Sequence, residues 1–294
     1  MSFALQLDGR NQQMLHQMLG CLVDKKGIEQ EACFVVDSEV GLCVHVVGRS
    51  KSYQSTLRLL TSCFVNVVVQ GDEEVSFSVN VGKLLECLQL LGSSYDEKTA
   101  SLSFDPSDAA LKSTLEDHQG VFTTCDLAVF EDQMDLDHDI TAAFRARPTI
   151  CKLIAVSRLL RDLVADFDDG SAASKAIRLS VTERHLRLST AGGLGTLEID
   201  APRALFTTFH RGKKTDIAFT YQKDIFLRGT KALSYATDTY IAINDMGMLQ
   251  LRHIFNGVHF EYTCAAAHPE HHQNPLDDDP WRHTQTATFL SPEY

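Results

Sequence analysis

The chain reads Phe77-Ser78-Val79-Asn80 immediately before a helical pattern over residues 81–91. The same order returns in the second half, where Ile217-Ala218-Phe219-Thr220 precedes a helical pattern over residues 222–232. A strand that leads twice into an amphipathic helix, about 140 residues apart, indicates a duplicated domain, because solenoid repeats have much shorter units.

The duplication extends on both sides of these stretches. Two strands follow each helix, and each copy ends in a strand that closes on a cysteine, Cys125 in the first copy and Cys264 in the second. Upstream, the order of strand, helix and consecutive strands occurs over residues 2–69 and again over residues 141–210. The sequence therefore predicts two similar domains in one chain.

Strands are the main predicted element. Phe3, Leu5 and Leu7 alternate with polar or small residues, which is typical of a half-buried strand. Many other segments show the same period of two. Few helices among many strands predict an α+β fold with sheets as its framework. Four segments have a helical period instead, at about residues 10–23, 81–91, 149–166 and 222–232.

Composition predicts where the domains end. Residues 130–140 are acidic and have no sustained period, so we interpret them as a linker between domain 1, residues 1–129, and domain 2, residues 141–266. Residues 267–294 are poor in apolar side chains and are expected to form a disordered tail. Thr284-Gln285 and Ser291-Pro292 in this tail have the form of kinase sites, although such short motifs often occur by chance.

The formal charge of −12, from 27 basic and 39 acidic residues, at first argues against a partner as acidic as nucleic acid. The distribution of the charges weakens that argument, because the linker and the tail together contribute nine of the twelve negative charges. The linker carries −5 and the tail −4, from Glu131, Asp132, Asp135, Asp137 and Asp139, and from Glu270, Asp277, Asp278, Asp279 and Glu293 less Arg282.

Several protein classes are not expected. The first residues have no basic stretch before an apolar core, so export is not expected, and no apolar run reaches the length of a membrane-spanning helix. The eight cysteines include no CxxC pair, and most lie inside apolar stretches. We therefore expect reduced, mostly buried thiols in a reducing compartment.

The helical patterns separate apolar from basic residues. In the third pattern the apolar stripe runs from Leu153 to Phe167, and Arg158 and Arg161 face away from it. The fourth pattern repeats this placement of basic residues, and the second carries one lysine. The first has only Arg10 at its start, and Lys25 and Lys26 lie beyond its end. From periodicity alone, an ordinary solvated polar face is the favoured interpretation of all four.

Three stretches follow one another in a specific order, namely Leu84-Leu85-Glu86-Cys87-Leu88-Gln89-Leu90-Leu91-Gly92-Ser93-Ser94, Leu186-Arg187-Leu188-Ser189-Thr190-Ala191-Gly192-Gly193 and Leu227-Arg228-Gly229-Thr230-Lys231-Ala232-Leu233-Ser234. Together with the duplication, they resemble the sliding-clamp superfamily of proliferating cell nuclear antigen, and most closely the Rad-one-type subunits of the nine-one-one DNA-damage checkpoint clamp. The resemblance covers about residues 1–266.

This resemblance implies a DNA-clamp fold with two duplicated domains, each with antiparallel sheets on the outside and two helices on the inner face. The implied partners are two other clamp subunits in a heterotrimeric ring, double-stranded DNA inside the ring, a clamp loader, and checkpoint and repair proteins; the implied location is the nucleus. Such a ring would bind DNA through contacts to phosphates, which do not depend on the base sequence. The expected DNA-facing residues are Lys83, Lys152, Arg158, Arg161, Lys223, Arg228 and Lys231.

The resemblance also implies where subunits and peptides bind. The strands expected to pair between subunits lie near residues 120–127 and 194–200, and Met134 and Leu136 of the linker are expected to edge a pocket for partner peptides. Both strands are rich enough in β-formers to extend a neighbour's sheet. The interface residues are Val121, Phe122, Thr123, Thr124 and Cys125, and Gly195, Thr196, Leu197, Glu198 and Ile199.

No catalytic site, metal site or cofactor is expected. A nuclease would need carboxylates clustered on a rigid scaffold, whereas Asp135, Asp137 and Asp139 lie in the linker. His268, His271 and His272 lie in the tail without a fourth ligand. Gly192–Gly195 predicts a hairpin or bulge, because no helix follows it. The alternatives to a non-catalytic checkpoint subunit are a homotrimeric replication clamp and, less favoured, a 3'-5' exonuclease.

Overall fold

The computed structural model describes residues 2–267 except 24–29, 49, 72–73, 91–97, 131–138, 169–173, 193–194 and 213–216. Within these residues, three antiparallel sheets form the framework of an α+β fold. The five-stranded sheet has the spatial order β5 (Asn66–Gln70), β1 (Ser2–Asp8), β7 (Thr99–Asp105), β8 (Ala110–Glu116) and β9 (Phe122–Ala128).

The largest sheet draws strands from both halves of the chain. Its order is β14 (Thr208–Arg211), β10 (Thr149–Val156), β16 (Asp238–Asn244), β17 (Leu249–Phe255), β18 (Val258–Cys264), β4 (Tyr53–Leu59), β3 (Gly41–Val47), β2 (Glu31–Asp37) and β6 (Val75–Asn80). The four-stranded sheet has the order β13 (Gly195–Pro202), β12 (His185–Gly192), β11 (Ala176–Val181) and β15 (Ile217–Gln222). Gly192 pairs with Gly195, which confirms the predicted hairpin.

The sheet orders display the duplication directly. The order β5-β1-β7-β8-β9 in the first half matches β14-β10-β16-β17-β18 in the second, and β4-β3-β2-β6 matches β13-β12-β11-β15. In the nine-stranded sheet, the last strand of one such series, β18, pairs along its whole length with β4, the first strand of another. The corresponding strands β9 and β13 each end their own sheet.

Five helices occur among the described residues: α1 (Gly9–Leu22), α2 (Val81–Leu88), α3 (Ile140–Arg145), α4 (Ser157–Asp168) and α5 (Lys223–Thr230). Three of them begin after a polar side chain that accepts a hydrogen bond from a backbone N–H of the first turn, which satisfies one of the amides that have no partner inside the helix. Asp8, Asn80 and Asp139 supply these oxygens, at 2.8, 3.0 and 3.0 Å.

The predicted helix over residues 149–166 is wrong in its first half. Residues 149–156 form strand β10, and α4 begins only at Ser157. Cys151, Leu153 and Ala155 are buried in alternation, so the apolar residues fit a period of two as well as a helical period. The short helix α3 was not predicted, because six residues are too few to show a period.

Packing between α5 and β18 fixes the second half of the core. A Cβ atom at Gly229 would come within 2.5 Å of the Tyr262 ring, so only glycine allows this close approach. The Tyr262 hydroxyl donates to the Ile225 carbonyl at 2.6 Å, and its ring stacks on Tyr53 with 5.6 Å between centroids. Because Tyr53 lies on β4, the same side chain joins the two halves of the chain.

A buried hydrogen-bonded chain ties α4 and α5 to the sheet. The Gly229 carbonyl can only accept, so Nε2 of His253 donates to it at 2.8 Å, and Nδ1 then accepts from the Thr239 hydroxyl at 2.8 Å. Thr239 Oγ1 in turn accepts from Ser157 Oγ at 2.7 Å. This arrangement requires a neutral imidazole, and burial lowers the pKa of His253 from its ordinary 6.5 to about 4.

Acidification should therefore destabilise the fold through His253. Between pH 6.5 and 4 the unfolded chain takes up a proton on this imidazole that the folded chain refuses, so the stability that His253 contributes is complete above pH 6.5 and falls as the pH drops through that window. The decrease amounts to roughly 3 kcal/mol in total. Urea unfolding of the wild type and of His253→Gln across pH 7.5–4.5 measures it. Parallel profiles for the two proteins would contradict this assignment.

Candidate subunit and DNA interfaces

Both strands expected to pair between subunits lie at sheet edges. Strand β9 ends the five-stranded sheet next to β8, and β13 ends the four-stranded sheet next to β12. An edge strand presents backbone N–H and C=O groups that the next strand of a neighbouring molecule can pair with. The predicted interface residues of 121–125 and 195–199 are thus on or beside edge strands, while their role between subunits remains a prediction.

The start of β9 exposes apolar surface. Phe122 is 71% exposed and Val121 is 50% exposed, although both are large apolar side chains. The turn before them is held in place by Asp117, whose side chain accepts the backbone N–H groups of Gln119 and Val121 at 2.9 Å each. A fixed turn therefore presents this apolar surface at the sheet edge.

The β13 edge is organised by charge. Arg187 on β12 donates to both carboxylate oxygens of Asp200, at 2.6 and 2.8 Å, and lies 3.0 Å from Glu198. The Asp200 pKa is lowered, chiefly by the hydrogen bond from Arg187. These cross-strand pairs hold β13 against β12, on the inner side of the edge strand.

The predicted basic residues differ in their surroundings. Arg158 is exposed on α4, and Arg161 on the same helix lies 3.1 Å from Asp162. Lys83 on α2 pairs with Glu86 at 2.9 Å. Lys223 is half-buried in the first turn of α5. The basic character of these helix faces is therefore modest.

Lys231 joins two helices from different halves. It follows α5 in a short 3₁₀ helix, and its ammonium donates to the Val23 carbonyl at 2.7 Å. Val23 is the C-cap residue directly after α1, and the carbonyls at a helix C-terminus favour a cation. Lys231 thus has a structural contact in addition to any contact with a ligand.

Two predicted DNA-facing residues lie elsewhere than expected. Lys152 belongs to strand β10, not to a helix, and it is exposed on the sheet face opposite Cys151 and Leu153, which pack into the core. It therefore does not join the basic face of α4. The reason is the same as for the start of the helix: the apolar residues of 149–156 fit the alternation of a strand as well as a helical period.

Arg228 is half-buried, contrary to the expectation of an exposed basic residue. Its guanidinium lies 4.5 Å from the centroid of the Tyr53 ring, and burial lowers the pKa of Arg228. Guanidinium groups stack favourably on aromatic faces. No pattern within α5 could indicate this contact, because Tyr53 lies far away in sequence.

Other predicted residues fall on parts of the chain that the structure does not describe. Met134 and Leu136 of the expected peptide pocket lie outside the described residues, as do Asp135, Asp137, the tail histidines, Thr284 and Ser291. Asp139 is described, and its carboxylate caps α3.

All eight cysteines are free thiols, and six of them are buried. This agrees with the expectation of reduced, mostly buried cysteines. Among the described residues, no group of three His, Cys, Asp or Glu side chains is placed to hold a metal ion. No helix in the same part of the chain is long and apolar enough to cross a membrane.

Known proteins are similar to this chain in sequence. A family model described as repair protein Rad1/Rec1/Rad17 matches residues 5–255. The cell cycle checkpoint protein RAD1 of Homo sapiens is 28% identical over 247 residues, which cover 81% of this chain and 83% of that protein. The RAD1 homolog mrt-2 of Caenorhabditis elegans is 21% identical over 217 residues, 72% of this chain and 75% of that protein.

A solved structure shows the same architecture. A chain of the PCNA2–PCNA3 complex from Sulfolobus tokodaii superposes with a TM-score of 0.67 at 14% identity, over 90% of this chain and 98% of that chain. At this identity the likeness concerns the fold alone. The chain therefore has the DNA-clamp fold, with duplicated antiparallel sheets and helices packed on them.

The Arg228 contact predicts a difference between two arginines. Arg228→Ala should lower the free energy of unfolding by about 1–2 kcal/mol, because it removes the packing over Tyr53. Arg158→Ala, the matched control on an exposed helix face, should change it by less than about 0.5 kcal/mol. Urea unfolding of both variants measures this, and equal effects would show that the stacked contact contributes nothing.

Proposed function

Because this chain belongs to the Rad1/Rec1/Rad17 family of repair proteins, we propose that it is a non-catalytic subunit of a heterotrimeric checkpoint clamp that encircles DNA at damage sites. In this proposal it acts in the nucleus as a platform for checkpoint and repair proteins, and a clamp loader places the ring on DNA. The two domains proposed are residues 1–129 and 141–266, with the acidic linker between them.

The observation that carries the proposal is the pairing of β18 with β4 inside the chain. The repeated sheet orders make β9 the counterpart of β18 and β13 the counterpart of β4. Strands β18 and β4 pair with each other within the molecule, whereas β9 and β13 each have only one neighbouring strand among the described residues. If β9 of one subunit paired with the strand of a neighbouring subunit that corresponds to β13, the contact would resemble the internal β18·β4 junction. Repeating this contact between subunits would close a ring.

The same logic supports DNA inside the ring. A closed ring holds DNA by topology, so its lining needs only weak, screened contacts to phosphates. A few exposed cations such as Arg158 and Lys83 suit that task, because many strong contacts would stop sliding. The acidic surplus of the whole chain lies mainly in the linker and the tail.

A homotrimeric replication clamp is the second candidate. The shared fold supports it, because the superposed Sulfolobus tokodaii chain is named PCNA. The family match and the RAD1 relatives favour the checkpoint subunit. An exonuclease is not favoured by any arrangement among the described residues.

Substitution at the apolar edge should impair ring formation. Phe122→Glu puts a charge on the start of β9, and we expect a large decrease in trimer when the variant is purified together with two other clamp subunits. Val65→Glu is the control, since Val65 is 62% exposed beside β5 at the opposite edge of the same sheet. Size-exclusion chromatography with light scattering reads out assembly. Equal decreases in both variants would exclude β9 as the specific edge.

Charge reversal on the helices should weaken DNA binding by the assembled ring. For Arg158→Glu together with Lys83→Glu we expect weaker binding of a DNA duplex and a salt dependence that is shallower by about one for each phosphate that the ring no longer neutralises. Lys152→Glu, on the other side of a sheet, should leave both quantities unchanged. Fluorescence anisotropy at several salt concentrations measures them. Unchanged affinity in the double variant would mean that these helices do not face DNA.

A further inference from the structure

A polar pocket lies on the nine-stranded sheet, on the face opposite to α4 and α5. Its volume is about 160 Å³, several times the roughly 30 Å³ that one water takes up in the liquid. Strands β4, β17 and β18 form its floor, and α3 forms one wall. Gln54 holds that wall in place, because its side-chain oxygen accepts the backbone N–H of Ile140 at 3.0 Å.

Three arginines from three different elements line this pocket. Arg58 comes from β4, Arg145 from α3 and Arg252 from β17. Glu261 on β18 lies between two of them, 3.1 Å from Arg145 and 3.4 Å from Arg252. Since Arg145 pairs with Oε1 and Arg252 with Oε2, the Glu261 carboxylate holds both guanidinium groups at the pocket.

The lining is positive in a chain that is negative overall. Three guanidinium groups face two carboxylates, Asp139 and Glu261, whereas the whole chain carries −12. The Asp139 carboxylate is engaged by the Ala142 amide of α3. His259 and Thr56 add further polar groups to the lining. A pocket of this kind favours an anion that can accept several hydrogen bonds at once.

We propose that this pocket, which we call the arginine pocket, binds the phosphate group of a phosphorylated serine or threonine in a peptide of a partner protein. A phosphate dianion matches the fork of a guanidinium group and offers three acceptor oxygens, so it gains more here than a carboxylate does. Arg58 is exposed and also hydrogen-bonded to the Cys43 sulfur. In the described part of the chain, Glu261 pairs with Arg145 and Arg252 and not with Arg58.

The shape of the site favours a peptide over nucleic acid. The pocket is a small concavity with one helical wall, which suits a single phosphate on a flexible chain rather than the regular rod of a duplex. It also lies on the opposite side of the sheet from α4 and α5, whose basic residues are the proposed DNA contacts. The proposal stands on this geometry alone and does not require that the chain forms a ring.

Binding of degenerate phosphopeptides tests the proposal. The probe is a fluorescein-labelled library with a fixed central phosphothreonine, compared with the same library carrying threonine, on the full-length chain by fluorescence anisotropy. We expect the phosphorylated library to bind at least about tenfold more tightly. Arg58→Gln and Arg252→Gln should each lower that affinity about tenfold. Lys152→Gln removes a charge from the same sheet face outside the pocket and should stay within about twofold.

Three results would overturn the proposal. The first is equal binding of both libraries, and the second is an equal decrease in Lys152→Gln, which would indicate unspecific attraction. The third is displacement by duplex DNA or by inorganic phosphate at the peptide's own concentration, which would point to nucleic acid or to a free anion. Thermal unfolding of each variant establishes that it is folded. Ring assembly and DNA binding of Arg58→Gln should match the wild type. A negative result for phosphopeptide binding therefore leaves the proposed function intact.

Discussion

The pairing of β18 with β4 is the interaction on which the rest of the structure depends. It runs from Val258 opposite Leu59 to Cys264 opposite Tyr53 and joins strands from the two halves of the chain into one sheet. Tyr262 strengthens this junction from the helix side, because it stacks on Tyr53 and hydrogen-bonds to α5. Both strands at the junction have neighbours on both sides, whereas the duplicated counterparts β9 and β13 each have a single neighbour in the part of the chain that the structure describes. The fold thus contains, inside one chain, the type of contact that its open edges can make between chains.

The two faces of the nine-stranded sheet carry different sets of polar and charged residues. The side with α4 and α5 has the buried chain from Ser157 to Gly229 and a modest set of cations on exposed helix faces. The other side has α3, the arginine pocket and Lys152. Since neighbouring residues of a strand point to opposite faces, one strand serves both sides: on β17, His253 is buried beneath α5 while Arg252 reaches the pocket. This alternation would place the proposed peptide site and the helices proposed to face DNA on opposite sides of the same sheet.

Much of the fold followed from the sequence, because duplication and alternation are local signals. The repeated order of elements and the four longer helices agree with the structure, apart from residues 149–156, whose apolar spacing fits either period. The strands near residues 120–127 and 194–200, which the family resemblance implied and no local pattern did, lie at sheet edges. Contacts between distant segments were beyond such signals. Arg228 stacks on Tyr53, and Arg58, Arg145 and Arg252 converge only because three separate elements meet. No spacing within one element indicates such a meeting, so the arginine pocket was not predicted.

The central claim is that the open edges join this chain to two different clamp subunits in one ring. Native mass measurement of the purified chain, alone and mixed with two other clamp subunits of the same cell, tests it most directly. We expect that the purified chain forms no stable homotrimer by itself. In the mixture we expect a complex with one copy of each subunit. A stable homotrimer that does not bind either of the other subunits would contradict it.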